Sequence, residues 1–178
     1  MADHLLLVGM MGAGKTTVAR IVAARTGRPQ VDTDVEVERA LGATVSAIFA
    51  ERGEEAFRRA ESEVLRRVLD TAVPAVVSVG GGMVLDAGNR RAMAGAGTVV
   101  WLRARPDTLA ARAGVLSDRP LLHASGETPA AVLTRLAARR RPLYEEVAGV
   151  VVDVDDLSAE EVADRVVACL GTVSGGVP

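Results

Sequence analysis

Lysine is almost missing from this chain. Lys15 is the one example among 178 residues, against twenty arginines, so any chemistry that needs a compact ammonium on a flexible stem must use Lys15. Aromatic side chains are nearly as scarce, with Phe49, Phe57, Trp101 and Tyr144 the full set. That removes the stacking platforms on which single-stranded nucleic acid is held. Cys169 has no second cysteine to pair with, which excludes an internal disulfide and fits a reducing compartment. No apolar run is long enough to span a bilayer, and the N-terminus lacks the basic and apolar regions of a signal peptide. A net charge of −2 offers no excess of positive charge to nucleic acid or an anionic membrane. These absences predict a cytoplasmic protein with no nucleic-acid partner and no membrane.

What is present is an alternation of apolar, β-branched bursts with longer segments of helical period. The length suits one domain over residues 1–171, with a frayed tail at 172–178 rich in Gly, Ser and Val. Strands are predicted at Leu5–Val8, Pro29–Val31, Ala75–Val79, Thr98–Leu102 and Val150–Val154. Helices are predicted at Lys15–Thr26, Glu36–Leu41, Val45–Arg52, Glu54–Asp70, Ala87–Ala94, Pro106–Ala113, Pro129–Val147 and Ser158–Leu170. Thr128-Pro129 and Ser158 with Glu161 are helix starts by their capping chemistry. Strands separated by helices imply an α/β fold, a five-stranded parallel sheet covered on both faces, with ligands at the strands' carboxyl ends.

Three chemical segments each follow a strand directly. Gly9-Met10-Met11-Gly12-Ala13-Gly14-Lys15-Thr16 satisfies the Walker A pattern, in which backbone N–H groups turn inward around phosphates and a helix N-terminus adds positive potential. Lys15 is placed for the β- and γ-phosphates and the Thr16 hydroxyl for Mg²⁺. A guanine-reading N-K-x-D segment needs a second lysine, so switch GTPases are excluded. The third strand ends in Ser78-Val79-Gly80 without the acid of a motor ATPase, leaving Asp32 as the nearest supplier of that charge.

Asp32-Thr33-Asp34 leaves the second strand. On an extended segment, residues i and i+2 face one side. One carboxylate could then hold Mg²⁺ through water while the other accepts a bond from an acceptor hydroxyl. The competing reading makes Asp34 a helix N-cap before Glu36–Leu41. Gly80-Gly81-Gly82 reads either as a place where a ligand approaches the backbone or as a flexible loop. Arg58 in Phe57-Arg58-Arg59-Ala60-Glu61, Arg119 in a polar, turn-rich stretch at about 113–127, and Arg139-Arg140-Arg141 are cationic forks suited to an anionic substrate and a γ-phosphate. The stretch around Arg119 has the composition of a mobile lid. His4 and His123 lie far apart with no ligand spacing and read as incidental.

Taken together, Walker A, D-T-D, F-R-x-x-E, G-G-G, R-P-L-L and R-x-P-L-Y, in this order from about Leu5 to Leu170, resemble shikimate kinase. The resemblance implies a three-layer α/β/α P-loop fold of the nucleoside-monophosphate-kinase type, with a substrate-binding part at about 33–61 and a mobile lid. It implies that the γ-phosphoryl group of ATP goes to the 3-hydroxyl of shikimate with Mg²⁺ as cofactor, in aromatic amino-acid synthesis. Gly12, Ala13, Gly14, Lys15, Thr16 and Thr17 would hold the nucleotide, Arg112 would stack near adenine beside the Asp155–Ala159 loop, and Arg119 would close onto the phosphates. Thr16 and Asp32 would serve the metal. Asp34 would orient the hydroxyl, Arg58 and Arg140 would clamp the substrate carboxylate, and Gly80, Gly81 and Gly82 would line the same pocket. Arg140 is chosen among the three arginines because the motif sets it two residues before Pro142. Lys15, Asp34 and Arg119 are the expected catalytic residues, in a monomer. A gluconate or nucleoside-monophosphate kinase, and a nucleotide-binding regulatory module without turnover, remain the alternatives.

Overall fold

The computed structural model describes residues 3–113 and 128–173. Five parallel strands form one sheet: β1 (His4–Val8), β2 (Gln30–Asp32), β3 (Val76–Ser78), β4 (Gly97–Arg103) and β5 (Val150–Asp153), in the order β2-β3-β1-β4-β5. Leu5, Leu6 and Leu7 of the central β1 are wholly buried, as a parallel strand covered on both faces requires. The helices are α1 (Lys15–Thr26), α2 (Thr33–Leu41), α3 (Val45–Leu69), α4 (Ala87–Ala96), α5 (Pro106–Ala113), α6 (Pro129–Val147) and α7 (Ala159–Val173). A short 3₁₀ turn over Met83–Leu85 precedes α4. No helix among the described residues is long and apolar enough to cross a membrane.

Local chemistry sets most boundaries. Thr128 caps α6 by accepting from the Ala131 amide, with Pro129 in the first turn. Ser158 and Glu161 form a reciprocal box, the Ser158 amide donating to Glu161 Oε2 and the Glu161 amide to Ser158 Oγ. The Ser158 hydroxyl, which donates to Glu161 Oε2 at 2.7 Å, and after it the Ser158 amide hold the Glu161 carboxyl below its usual range. Helix α7 continues to Val173, past residue 172 where the sequence predicts the tail to start; residues 174–178 lie outside the described residues.

Two corrections bear on the site. The second helix starts at Thr33 rather than Glu36, because Asp32 caps it, its carboxylate accepting from the Asp34 amide at 3.0 Å. Asp34 is therefore in the first helical turn, not on an extended segment, and it is not the cap. The predicted break between Val45–Arg52 and Glu54–Asp70 is present, as a kink in α3 at the non-helical Gly53 (φ 78°, ψ 169°). His4 is also no bystander. Fully buried, it accepts from the Ala75 amide through Nδ1, and Nε2 lies 3.3 Å from the Leu69 carbonyl. It ties the end of α3 to the sheet. His123 lies outside the described residues.

Beside the main core, Val37, Ile48, Phe57, Ala60 and Val64 form a second apolar cluster between α2 and α3. It stiffens the wall that carries Asp34 and Arg58.

Candidate active site

The Walker A turn lies at the carboxyl edge of β1. Gly14 precedes α1 in the left-handed region (φ 88°), and no side chain caps the helix, so the first-turn N–H groups remain available to an anion. Lys15 folds back over the turn, donating to the carbonyls of Gly9 at 2.9 Å and Met10 at 3.1 Å. Beyond Thr17, Arg112 donates to the Val154 carbonyl at 3.1 Å and lines a recess with Ala13, Gly14, Thr17, Leu157 and Ala159. This recess joins the loop expected beside the base to the turn expected around the phosphates.

Thr16 Oγ1 donates to Asp32 Oδ2 at 2.7 Å and lies 3.4 Å from Ser78 Oγ. Strand register explains the grouping: Asp32 pairs with Ser78 across β2 and β3. Where β3 offers a hydroxyl instead of an acid, its neighbour supplies the carboxylate. Two hydroxyls and one carboxylate form a hard-oxygen set that fits Mg²⁺, an ion usually held by one or two carboxylates plus water and substrate phosphates. Among the described residues no group of three acidic, His or Cys side chains is placed to hold a metal alone.

On the other side of Lys15 lies a pocket that brings together Asp34, Arg58, Glu61, Gly81, Gly82 and Arg140. Met11, Val45, Phe49 and Phe57 complete its wall. The guanidinium of Arg58 lies 5.4 Å from the centre of the Phe57 ring and 6.0 Å from that of Phe49. It donates to Glu61 Oε2 at 2.6 Å and to Glu54 Oε1 at 3.1 Å. Burial pulls the Arg58 pKa down, but Glu61 and Glu54 outweigh it and the net direction is up. Glu61 is 2% exposed, and burial pushes its carboxyl up to about 7 despite Arg58 beside it.

Arg140 is buried while Arg139 and Arg141 are exposed. It donates from Nη1 to the Gly81 carbonyl at 3.1 Å, and its Nε is a buried donor with no partner among the described residues. Burial lowers its pKa, and the nearby Arg58 adds to that. The Tyr144 hydroxyl donates to the same Gly81 carbonyl at 2.8 Å, and its ring stacks on Trp101 at 5.5 Å. Burial raises the Tyr144 phenol to about 12, so it stays a donor across the ordinary pH range.

None of the three glycines has a positive φ, so the triplet is not there for a left-handed turn. A Cβ on Gly80 would stand 2.6 Å from Asp34 Oδ1 and 3.0 Å from Glu61 Oε1, and one on Gly82 would stand 2.1 Å from Arg58 Nη1. Small residues are needed because the pocket's own charged groups pack against this backbone. Thr33 fixes it further, accepting from the Gly80 amide at 2.8 Å and donating to the Ser78 carbonyl at 3.3 Å.

Structure thus brings together every expected residue except Arg119, which lies outside the described residues with the rest of the proposed lid, residues 114–127. Sequence reading missed Glu61, Thr33 and Tyr144 as parts of the site. Glu61 had a signal: it is a carboxylate within the apolar stripe of Phe57, Ala60, Val64 and Leu65, where an acid needs a partner.

Comparison with known proteins agrees with this geometry. The family model for shikimate kinase matches residues 11–171. The chain is 47% identical over 165 residues to a shikimate kinase of Symbiobacterium thermophilum, covering 92% of this chain and 93% of that one. Against a shikimate kinase of Ruegeria pomeroyi it is 42% identical, over 94% and 85% of the two chains. A structure of shikimate kinase from Acinetobacter baumannii in complex with shikimate superposes with a TM-score of 0.92 at 34% identity, covering 99% and 97%. A gluconokinase from Sinorhizobium meliloti, at 18% identity and a TM-score of 0.59, shares the fold.

Proposed function

The chain belongs to the shikimate kinase family and is an ATP-dependent phosphotransferase acting on shikimate; we propose how its side chains divide that work. The observation that carries the reading is the convergence of Asp34, Arg58, Arg140 and Lys15 on one pocket beside the phosphate turn. Shikimate carries a carboxylate and ring hydroxyls. Arg58 and Arg140, from α3 and α6, take the carboxylate as paired forks, and the unpartnered Nε of Arg140 finds its acceptor there. That anchoring turns the ring so that the 3-hydroxyl meets Asp34, which accepts its hydrogen bond and orients the oxygen toward the γ-phosphorus.

Lys15 leaves the Gly9 and Met10 carbonyls for the β- and γ-oxygens and follows the charge as the phosphoryl group moves. The α1 amides and the turn from Gly12 to Thr17 hold the phosphates, and Arg112 flanks the base. Phosphoryl transfer needs little covalent help from protein, so positioning and charge stabilisation supply most of the rate. Thr16 and Asp32 would hold Mg²⁺, directly and through water. Held there, the ion would supply positive charge against the negative charge of the transferring phosphoryl group. Arg119 enters this reading through its sequence motif alone, as does the lid at about 113–127. The products are shikimate 3-phosphate and ADP.

A monomer belongs to this reading through the family resemblance alone, and the use of ATP supports a cytoplasmic setting. The test is ADP release from MgATP with shikimate, gluconate, CMP, AMP or no acceptor. Release dependent on shikimate and lost in Asp34→Asn is the expected result. Release with gluconate or a nucleotide instead would overturn the substrate. ATP binding without stimulated release by any acceptor would leave a regulatory module.

A further inference from the structure

Glu61 is a carboxylate in a place built for someone else's carboxylate. Its Oε2 takes Arg58 Nη1 at 2.6 Å, and its side chain is 3% exposed. On the opposite side its Oε1 comes within 3.0 Å of where a Gly80 Cβ would stand, and Asp34 Oδ1 approaches the same point to 2.6 Å. Two acids therefore flank the Gly80 backbone. The charged groups facing Glu61 are Arg58 and Glu54 from its own helix, Asp34 from α2, Arg140 from α6 and Lys15 from α1. Asp86, ahead of α4, shares the cleft behind it.

A substrate carboxylate entering between Arg58 and Arg140 brings a second anion to a guanidinium that Glu61 already holds. Three negative groups would then share a low-dielectric space with two guanidinium forks. Like charges at such distances in a buried site repel strongly enough that one of them takes a proton. Shikimate's carboxylate is exchangeable and bonded by two arginines, and Asp34 is needed by the hydroxyl. Glu61 is buried where Asp34 is only half-buried, so desolvation favours its neutral form most.

We propose that the Glu61 carboxylate, which holds Arg58, is coupled to a proton: as the substrate anion binds, Glu61 takes up one proton from solvent. This inference rests on the reading of Arg58 and Arg140 as the carboxylate clamp. Ionised Glu61 keeps Arg58 ordered and charged before substrate arrives. Protonated Glu61 releases the guanidinium's full attraction to the incoming carboxylate and relieves the repulsion. The placement of its titration near neutrality by burial makes the coupling visible at ordinary pH. By linkage, binding that takes up a proton weakens as pH rises.

Calorimetric titration of the full chain with shikimate tests this, at pH 7.5 in PIPES, HEPES and Tris, whose ionisation heats differ. The expected result is a binding enthalpy that varies with the buffer's ionisation heat, with a slope of roughly half a proton taken up. Between pH 6 and 9, Kd for shikimate rises on the order of tenfold. In Glu61→Gln both the buffer dependence and the rise of Kd vanish, whatever the affinity at any one pH. A merely structural role would change affinity in Glu61→Gln but leave the proton slope. Binding with a buffer-independent heat in the wild-type chain overturns the proposal while leaving the substrate reading intact. Binding that is unaffected by Arg140→Ala overturns the clamp, and the proposal with it.

Discussion

Arg140 and its two neighbours offer a contrast within three consecutive positions. Arg140→Ala removes a buried guanidinium that holds the Gly81 carbonyl and carries a free donor. Shikimate KM is expected to rise roughly 30-fold or more, equivalent to about 2–4 kcal/mol, with kcat less affected. Exposed Arg139→Ala and Arg141→Ala should stay within about threefold of the parent in the same assay. Gly82→Ala acts on the other fork. Its Cβ would collide with Arg58 Nη1, the far end of a flexible side chain, so the guanidinium moves and the fold survives. Shikimate KM should rise on the order of tenfold with little change in Tm. At this scale the sequence was legible wherever a motif names a residue type for its chemistry, as with Lys15, Thr16 and Arg140. Thr33 was not legible, because its value lies in two bonds to a strand more than forty positions away.

At the scale of elements, α3 shows a break that the sequence announced. Gly53 sits at φ 78° and ψ 169°, a region open almost only to glycine. Among the described residues nothing lies within 4 Å of a Cβ placed there, so the expected cost of Gly53→Ala is backbone strain. Urea denaturation should show a loss of about 1–3 kcal/mol. The first segment of α3 carries Val45 and Phe49 to the pocket wall, so a straightened variant would also bind shikimate more weakly. Element type and order were readable among the described residues, because every strand but β2 was a short apolar burst and each helix had its own period or cap. The start of α2 was misplaced for a physical reason. Both aspartates in Asp32-Thr33-Asp34 are competent caps, and the choice falls to Asp32 because β2 runs straight into the helix with no intervening turn.

Across the whole molecule, acidity acts in two opposite directions. Glu61 has its pKa raised from 4.5 to about 7 by burial, so the folded state binds more protons than the unfolded one between those values. Stability from this group is fully present below pH 4.5 and is lost as pH rises through 7, by up to about 3 kcal/mol. Asp153 and Asp155 have lowered pKa values, the former chiefly through hydrogen bonds from Arg103. For Asp155, burial opposes the bonds that lower it. Their contribution is present above about pH 3.8 and disappears as pH falls below it. Tm measured against pH should therefore decline from about pH 4.5 to 7, and Glu61→Gln should flatten that decline without touching the acid limb. A wild-type profile flat across this window would count against the burial of a titrating Glu61.

Trp101 is the one tryptophan in the chain, and it stacks on the ring of Tyr144, whose hydroxyl holds the Gly81 carbonyl beside Arg140. The protein consequently carries its own optical probe two contacts from the Gly81 carbonyl of the pocket. Excitation at the red edge of the indole band reads that position alone, without label or background. A change in its emission on adding shikimate, absent in Tyr144→Phe, would follow occupancy in real time and turn a packing contact into a stopped-flow signal.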